Sequence, residues 1–471
     1  MRAIPMAFKP KMLIFSHVSN PSSITGAEKL LLFFCGQLSP FFECVLVAPN
    51  EGRLTMLARQ SGILVKIYKI PLLYSVYTPG AHLMNEADKL MTTPVFRALT
   101  KWIASEGPQV ILTNTCVHVM PAAAGKRLGI PVMWQLTEKI TNNGYAHLST
   151  SLIHQYSSWI ISISESVAES FPPEVRQSKM TVLPPSWSES DIQQEAWPGW
   201  RAAYREKLGI TSNRPLIGMI SSFLIESKGV HHFIDMALSL KDAYPDAVFL
   251  IVGSVLDLDY ERLCRDRIAW SGAQHRFIFA GPQDDISQVY CALDVVVVPS
   301  VVPEGFGLTA LEGLMYGKPV VAYASGGLQE VLTAVGCAHL LADPGSTDSL
   351  AEKVRFILDQ PDQGVSLGMQ NRMKAQAVYG PVMYQVRVNE MVSRWMNEHP
   401  GWFQATARTA KHQAAPTRRH NQVRRTRKKR SGAGLRRKLP RTRTRRTEGK
   451  PTRRRASKLR QRRTSARRRK A

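Results

Sequence analysis

Short apolar runs bounded by Gly, Pro, Ser and Asn recur along this chain, and stretches with helical spacing of apolar residues lie between them. In the first half, the runs at 12–18, 44–48, 64–70, 110–115, 131–137 and 159–164 read as strands. Most are near-continuous in apolar residues rather than alternating, as expected of strands buried on both faces of a parallel sheet. Helical patterns such as 27–38 and 122–128 separate them. This βαβ alternation predicts a doubly wound α/β domain.

A Pro-, Trp- and Ser-rich break follows, from Leu183-Pro184-Pro185-Ser186-Trp187 to Trp197-Pro198, and reads as an interdomain linker. The alternation then restarts with runs at 216–221, 248–253, 277–280, 295–298, 319–323 and 339–342. The expected architecture is therefore two Rossmann-like domains, 1–190 and 191–363. Residues 364–405 carry a helical pattern (Met369, Met373, Val378, then Val382, Val386, Val388, Val392 and Trp395) that Gly380-Pro381 divides into two helices. Residues 406–471 lack a sustained apolar face, cannot offset their ordering entropy, and are expected to be disordered.

Charge changes this picture in one place. Of the formal net charge of +26, residues 411–471 hold 28 Lys and Arg against the single acid Glu448, while the rest of the chain has 34 bases and 35 acids. The body is nearly neutral. The tail predicts attraction to a polyanion: an anionic membrane, nucleic acid or an anionic polymer. No aromatic residue follows Phe403, so base stacking is not indicated. The six cysteines (Cys35, Cys44, Cys116, Cys264, Cys291, Cys337) form no Cys-x-x-Cys pair, which suggests neither a zinc site nor a disulfide framework and fits a reducing cytoplasm. No apolar run approaches the roughly 20 residues that cross a bilayer, and the apolar stretch near the N-terminus is too short for a secretory signal.

The chemistry concentrates after the run Val295-Val296-Val297-Val298. There Pro303-Glu304-Gly305-Phe306-Gly307-Leu308 forms a loop that opens a short helix, 308–316, stopped by Gly317 and Pro319. Ligands bind at the carboxyl edge of such sheets, and helix N-termini attract anions. Glu304 and Glu312, eight positions apart, are acceptors for paired hydroxyls, and the backbone N–H groups of Phe306, Gly307 and Leu308 suit phosphate. Lys228-Gly229 precedes another helix, where a lysine opposes the macrodipole unless an anion relieves it. Thr25-Gly26-Ala27-Glu28 opens the first helix and reads equally as a ligand loop or as an ordinary turn capped by Thr25. Glu138 ends a strand facing the expected cleft and reads equally as a site acid or as a surface or helix-cap acid. His118, His231 and His232 read as structural. In Gly326-Gly327-Leu328-Gln329-Glu330 the glycines permit close backbone approach, and Glu330 would hold a hydroxyl or cap its own helix.

The segment 290–331, with Tyr290, Asp294, Pro299-Ser300, Glu304-Gly305-Phe306-Gly307-Leu308, Glu312, Gly317-Lys318-Pro319-Val320-Val321 and Gly326-Gly327-Leu328-Gln329-Glu330 in register, resembles the donor-binding signature of the retaining glycosyltransferases of family four. The resemblance implies a GT-B fold, with an acceptor-side first domain, a nucleotide-sugar-binding second domain and a last helix crossing back to the first. It implies that Glu304 contacts the donor sugar, Glu312 the ribose and Lys228 the diphosphate. Glu304 and Lys228 would be the catalytic pair, Gly229, Gly253, Pro282 and Gly305 would line the donor site, and Gly26, Glu138 and Gly327 would stand on the acceptor side. The donor is a co-substrate, and neither a metal nor another cofactor is implied. Phe223 stands where relatives often have Arg, Thr137 where they often have His, and Thr25 where they usually have Gly. The implied protein is a cytoplasmic, bacterial, retaining hexosyltransferase, peripheral at the inner membrane face, acting on a hydroxyl acceptor in cell-surface polysaccharide or glycoconjugate synthesis. Its rivals are another GT-B enzyme, such as an epimerase or phosphorylase, and a polyanion-binding protein with a silent GT-B body.

Overall fold

The computed structural model describes residues 9–21, 24–211, 214–283 and 285–404. The basic tail and its expected disorder lie outside the described residues. Two wholly parallel sheets carry the chain. The first has seven strands in the order β3-β2-β1-β4-β5-β6-β7: β1 (Lys11–Phe15), β2 (Glu43–Ala48), β3 (Leu64–Ile67), β4 (Val110–Asn114), β5 (Val132–Leu136), β6 (Trp159–Ser162) and β7 (Met180–Val182). The second has six in the order β10-β9-β8-β11-β12-β13: β8 (Leu216–Leu224), β9 (Val248–Val255), β10 (Phe277–Gly281), β11 (Val295–Val298), β12 (Val320–Tyr323) and β13 (Leu341–Ala342). The strand order reverses between β1 and β4 and again between β8 and β11, so each sheet has a switch-point crevice at its carboxyl edge.

The continuous apolar runs are buried on both faces. All four valines of β11 are within the core, where β-branched side chains lose little freedom and pack well. The helix Leu308–Met315 lies on β11 and β12 through Gly313, at which a Cβ would come within 2.9 Å of Val320 Cγ2 and 3.3 Å of Val296 Cγ2. Three elements differ from expectation. β7 is a three-residue strand with only Met180 fully buried, too short to read as a run. β8 continues past Ser221 to Leu224 across a register shift between Ile220 and Phe223. The run at 339–342 is mostly a 3-10 turn, Ala338–Leu340, with two strand residues after it.

The helix Pro361–Tyr379 packs along the second sheet's helices, and Gly380 then turns the chain into the helix Pro381–Glu398. That last helix buries Tyr384, Val388, Met391, Val392 and Trp395 among Met12, Ile14, Phe34 and Trp159 of the first sheet and its first helix. Burial of each such side chain contributes about 1.5–3 kcal/mol. The second domain is therefore tied back to the first by a substantial apolar contact. All six cysteines are buried free thiols.

Candidate functional site

A cleft of about 520 Å³ runs between the carboxyl edges of the two sheets. Its second-domain wall is built by close backbone approach. After β8 the chain makes a 3-10 turn, Glu226–Lys228, and Gly229 follows at φ +70°. A Cβ on Gly229 would lie 1.9 Å from the Pro299 carbonyl oxygen, so glycine lets the turn seat on the segment leaving β11. Val301 N donates to Ser227 O at 3.0 Å and locks the two loops together. Lys228 Nζ is thereby held 2.8 Å from Glu304 Oε1, an oxygen that also accepts from Ser300 Oγ. The lysine's conflict with the helix dipole is met here by a carboxylate of the chain itself.

Glu304 is fixed from behind. It forms a parallel bridge with Gly326, and its carbonyl accepts from Gly327 N at 2.9 Å. A Cβ on Gly327 would fall 2.3 Å from Phe306 Cα. Gly327, expected on the acceptor side, is instead buried under the loop 303–307 in a helix of the second domain. Phe306 is buried with its ring against Tyr379. Gly307, at φ +100°, opens the helix Leu308–Met315 with no side chain capping its first N–H groups, so the backbone donors at this helix start suit an anion. Glu312, on that helix, accepts from Tyr290 Oη at 2.7 Å. Burial, reinforced by Glu312, raises the Tyr290 pKa and keeps it a donor. Gly253, Ser254, Pro282 and Gln283 complete the far end of this wall, and Phe223 lines it where a base was expected.

On the first-domain wall, Thr25 caps its helix in a reciprocal box with Glu28, whose buried carboxylate also accepts from Asn20 N and Nδ2. The capped-turn reading holds, and Glu28 is committed to structure. Gly26 lines the cleft, and a Cβ there would meet Leu308 Cδ1 at 2.7 Å. Glu138 also lines the cleft, accepting from Thr137 Oγ1 at 2.8 Å and Cys116 N at 3.2 Å. Desolvation raises its pKa against those bonds. Cys116 N reaches it because Thr115 adopts φ +70°, a strained conformation for a β-branched residue that costs about 1–3 kcal/mol. His118 is buried away from the cleft, with its pKa pushed down to about 3 by desolvation. His231 and His232 bond Tyr260 and Tyr323 within the second domain. Among the described residues no group of three His, Cys, Asp or Glu is placed to hold a metal.

The walls touch at their rim. Ser164 Oγ donates to the Gly305 carbonyl, and a Cβ on Gly305 would lie 2.4 Å from Thr137 O. Glu330 neither faces a hydroxyl nor caps its own helix. It accepts from Glu165 N at 3.2 Å and Ser166 N at 3.1 Å, capping the short helix Glu165–Ala168 of the first domain. Sequence reasoning also missed Tyr77, Lys29 and Lys139, which line the cleft. Lys29 and Lys139 each stand one position beyond a segment singled out in the sequence, whereas Tyr77 sits in a loop with no motif of its own and reaches the cleft only through the tertiary fold.

Residues 201–377 match the family model of glycosyl transferases group 1. The chain is 36% identical over 170 residues to the 2-deoxystreptamine glucosyltransferase of Streptomyces kanamyceticus, covering 36% of this chain and 42% of that one. It is 34% identical over 169 residues to the D-inositol 3-phosphate glycosyltransferase of Corynebacterium urealyticum, covering 35% and 39%. The chain thus spans less than half the length of these curated relatives. The crystal structure of Anabaena Alr3699/HepE in complex with UDP and glucose superposes with a TM-score of 0.65 at 21% identity, covering 82% of this chain and all of that one. The fold is GT-B, as expected. No helix among the described residues is long and apolar enough to cross a membrane.

Proposed function

We propose that this protein transfers a hexose from a nucleoside diphosphate-sugar to a hydroxyl acceptor, with retention at the anomeric carbon. The observation that carries the reading is the Lys228–Glu304 pair, 2.8 Å apart, at a cleft where two Rossmann-like sheets present their carboxyl edges to each other. A cation beside a carboxylate suits a donor with a charged diphosphate and a hydroxyl-bearing sugar. Glu312 would hold the ribose, and the uncapped N–H groups after Gly307 would meet phosphate oxygens. The group 1 match over residues 201–377 covers this wall, and the structural neighbour's complex with UDP and glucose supports the donor class.

In the transfer, the acceptor oxygen bonds to the anomeric carbon as the bond from that carbon to the diphosphate breaks. The bonding pair leaves with the diphosphate, and the acceptor proton passes to a departing phosphate oxygen on the same face, which preserves configuration. Lys228 and the helix start would stabilise the growing charge. Lys29 and Lys139 line the cleft from the first domain and supply positive charge that Phe223 does not. The reading includes a cytoplasmic location, with the basic tail at an anionic membrane face.

The test is a thermal-shift and calorimetric screen of nucleotide-sugars, followed by NMR of the product anomer. Nucleoside diphosphate released only in the presence of an acceptor, with an anomer matching the donor, is the expected result. Release without acceptor would favour another GT-B activity, and an inverted product would overturn retention. Binding of no nucleotide-sugar would leave the polyanion-binding reading.

A further inference from the structure

The helix Leu258–Trp270 of the second domain has an outward face that the cleft does not use, since none of its residues lines the cleft. Asp257 caps its start by accepting from Asp259 N and Tyr260 N, and Cys264 and Ile268 are buried in the core. Its flanks are tied to its own domain. Arg267 pairs with Asp235 at 3.1 Å, and the Arg265 guanidinium lies 4.0 Å from the centre of the Phe279 ring. Positions four apart on a helix step round it by about 40°. Leu258, Arg262, Asp266 and Trp270 therefore form one ridge on the side away from Cys264 and Ile268, with Leu263 beside it. Leu258 is 75% exposed, Leu263 62% and Trp270 83%. Single exposed apolar residues are ordinary, but three large ones on one helix face, one of them a tryptophan, mark a contact surface.

The order of residues along the ridge selects what fits it. It reads apolar, base, acid, aromatic, so both ends are apolar and the middle carries one charge of each sign. Turning a second copy of the helix end for end, about a two-fold axis level with Cys264, sets Leu258 against the partner's Trp270 and Arg262 against the partner's Asp266. Each contact then occurs twice. A parallel copy would instead oppose Arg262 to the partner's Arg262 and Asp266 to the partner's Asp266. Among the described residues, the ion pairs within this helix are Asp259–Arg262 at 2.9 Å and Glu261–Arg265 at 2.8 Å, and neither takes Asp266. An anionic membrane fits less well, because its headgroups would repel Asp259 and Asp266 on the outward face.

We propose that this helix is the interface of a symmetric dimer, in which two copies of the chain pack antiparallel across it. The apolar contacts at the two ends supply the affinity, and the Arg262–Asp266 contacts fix the direction. A helix of 13 residues offers a contact only about 20 Å long. That is at the low end of specific interfaces, so the dimer is weak and forms in the micromolar range.

Sedimentation velocity of the full chain over about 1–100 µM tests this. The sedimentation coefficient should rise with concentration toward that of a dimer. Trp270→Ala should raise the dimer Kd about tenfold or more. Arg262→Asp and Asp266→Arg should each shift the chain to monomer, because each sets like charges against each other twice. The two reversals combined should restore association to within about threefold of the wild type, which a merely disturbed surface would not do. All these positions face outward, and unchanged circular dichroism and melting would show that the variants fold. A monomer across the whole range would overturn the proposal, as would a dimer that Trp270→Ala and the single reversals leave unaltered. A monomer whose cosedimentation with anionic vesicles at high salt, where the tail's attraction is screened, falls with Trp270→Ala would assign the face to a membrane and overturn it likewise.

Discussion

Lys228 and Glu304 stand 76 positions apart in the chain and meet at 2.8 Å, the lysine side chain 35% exposed and the glutamate 13%. Without a ligand the cation is therefore shared with a carboxylate. A bound diphosphate must compete for it or draw Glu304 toward the sugar. Two opposite outcomes follow from one contact. Lys228→Ala should weaken nucleoside diphosphate binding by about 10- to 150-fold, the range for a charged hydrogen bond of about 1.5–3 kcal/mol. Glu304→Gln should leave that binding unchanged or tighten it a few-fold, because loss of the carboxylate's charge frees the ammonium for the phosphate. Sugar transfer should nevertheless fall sharply. Calorimetry with the diphosphate and turnover with the sugar separate the two, and weaker diphosphate binding by Glu304→Gln would refute the competition.

Glu312 receives the phenol of Tyr290, whose ring in turn stacks on Tyr316 with 7° between planes. If Glu312 holds the ribose, Glu312→Ala should cost about 10- to 150-fold in nucleotide affinity. Tyr290→Phe removes one hydrogen bond that orients the carboxylate but leaves the carboxylate itself, and should weaken affinity by less than Glu312→Ala does. Removing the 2′-hydroxyl from the nucleotide should cost Glu312→Ala less affinity than it costs the wild type. Undiminished discrimination by the variant would move the ribose contact elsewhere.

Gly305 bears on the distance between domains. Its carbonyl takes the Ser164 hydroxyl, and an added Cβ would come 2.4 Å from the Thr137 carbonyl. The Thr137 carbonyl is backbone rather than the flexible end of a side chain, so Gly305→Ala should part the rim. The expected result is a larger radius of gyration in solution scattering and turnover lowered at least about tenfold. Glu330→Ala removes the cap across the same seam and should act in the same direction by about 1–2 kcal/mol. Unchanged scattering for both variants would mean the rim contacts do not set the domain spacing.

Deleting residues 411–471 removes 28 Lys and Arg and one acid. The apolar anchor of the last helix, ending at Trp395, lies wholly before the cut. Melting with and without donor should be unaffected, while salt-sensitive cosedimentation with anionic vesicles or DNA should disappear. A lowered melting temperature or undiminished polyanion binding would each contradict the division of labour.

Local pattern was enough to determine the two parallel α/β domains, because strands buried on both faces must be continuously apolar, and β11 with its four valines could be little else. The loop after β11 was legible as a unit for a related reason. Glu304, Gly305, Gly307 and Glu312 lie within nine residues on one strand-loop-helix unit that lines the cleft, although Gly326, Gly327 and the turn at Lys228 hold it in place. Position along the chain could not reveal what depends on two elements meeting. Glu330 has the same local surroundings whether it caps its own helix or the helix Glu165–Ala168, and only domain apposition selects the second. Gly327 reads as a cleft glycine until the Phe306 backbone is found 2.3 Å from where its Cβ would be. Tyr77 belongs to a loop with no periodicity, and its place in the cleft comes from hydrogen bonds that Thr141 and Ser149, far along the chain, donate to the Tyr77 and Val76 carbonyls. Hydrophobic period and turn residues encode which segments are strands and helices. The side-chain neighbours across a cleft are fixed by packing between segments, and that information exists only once both sheets have formed.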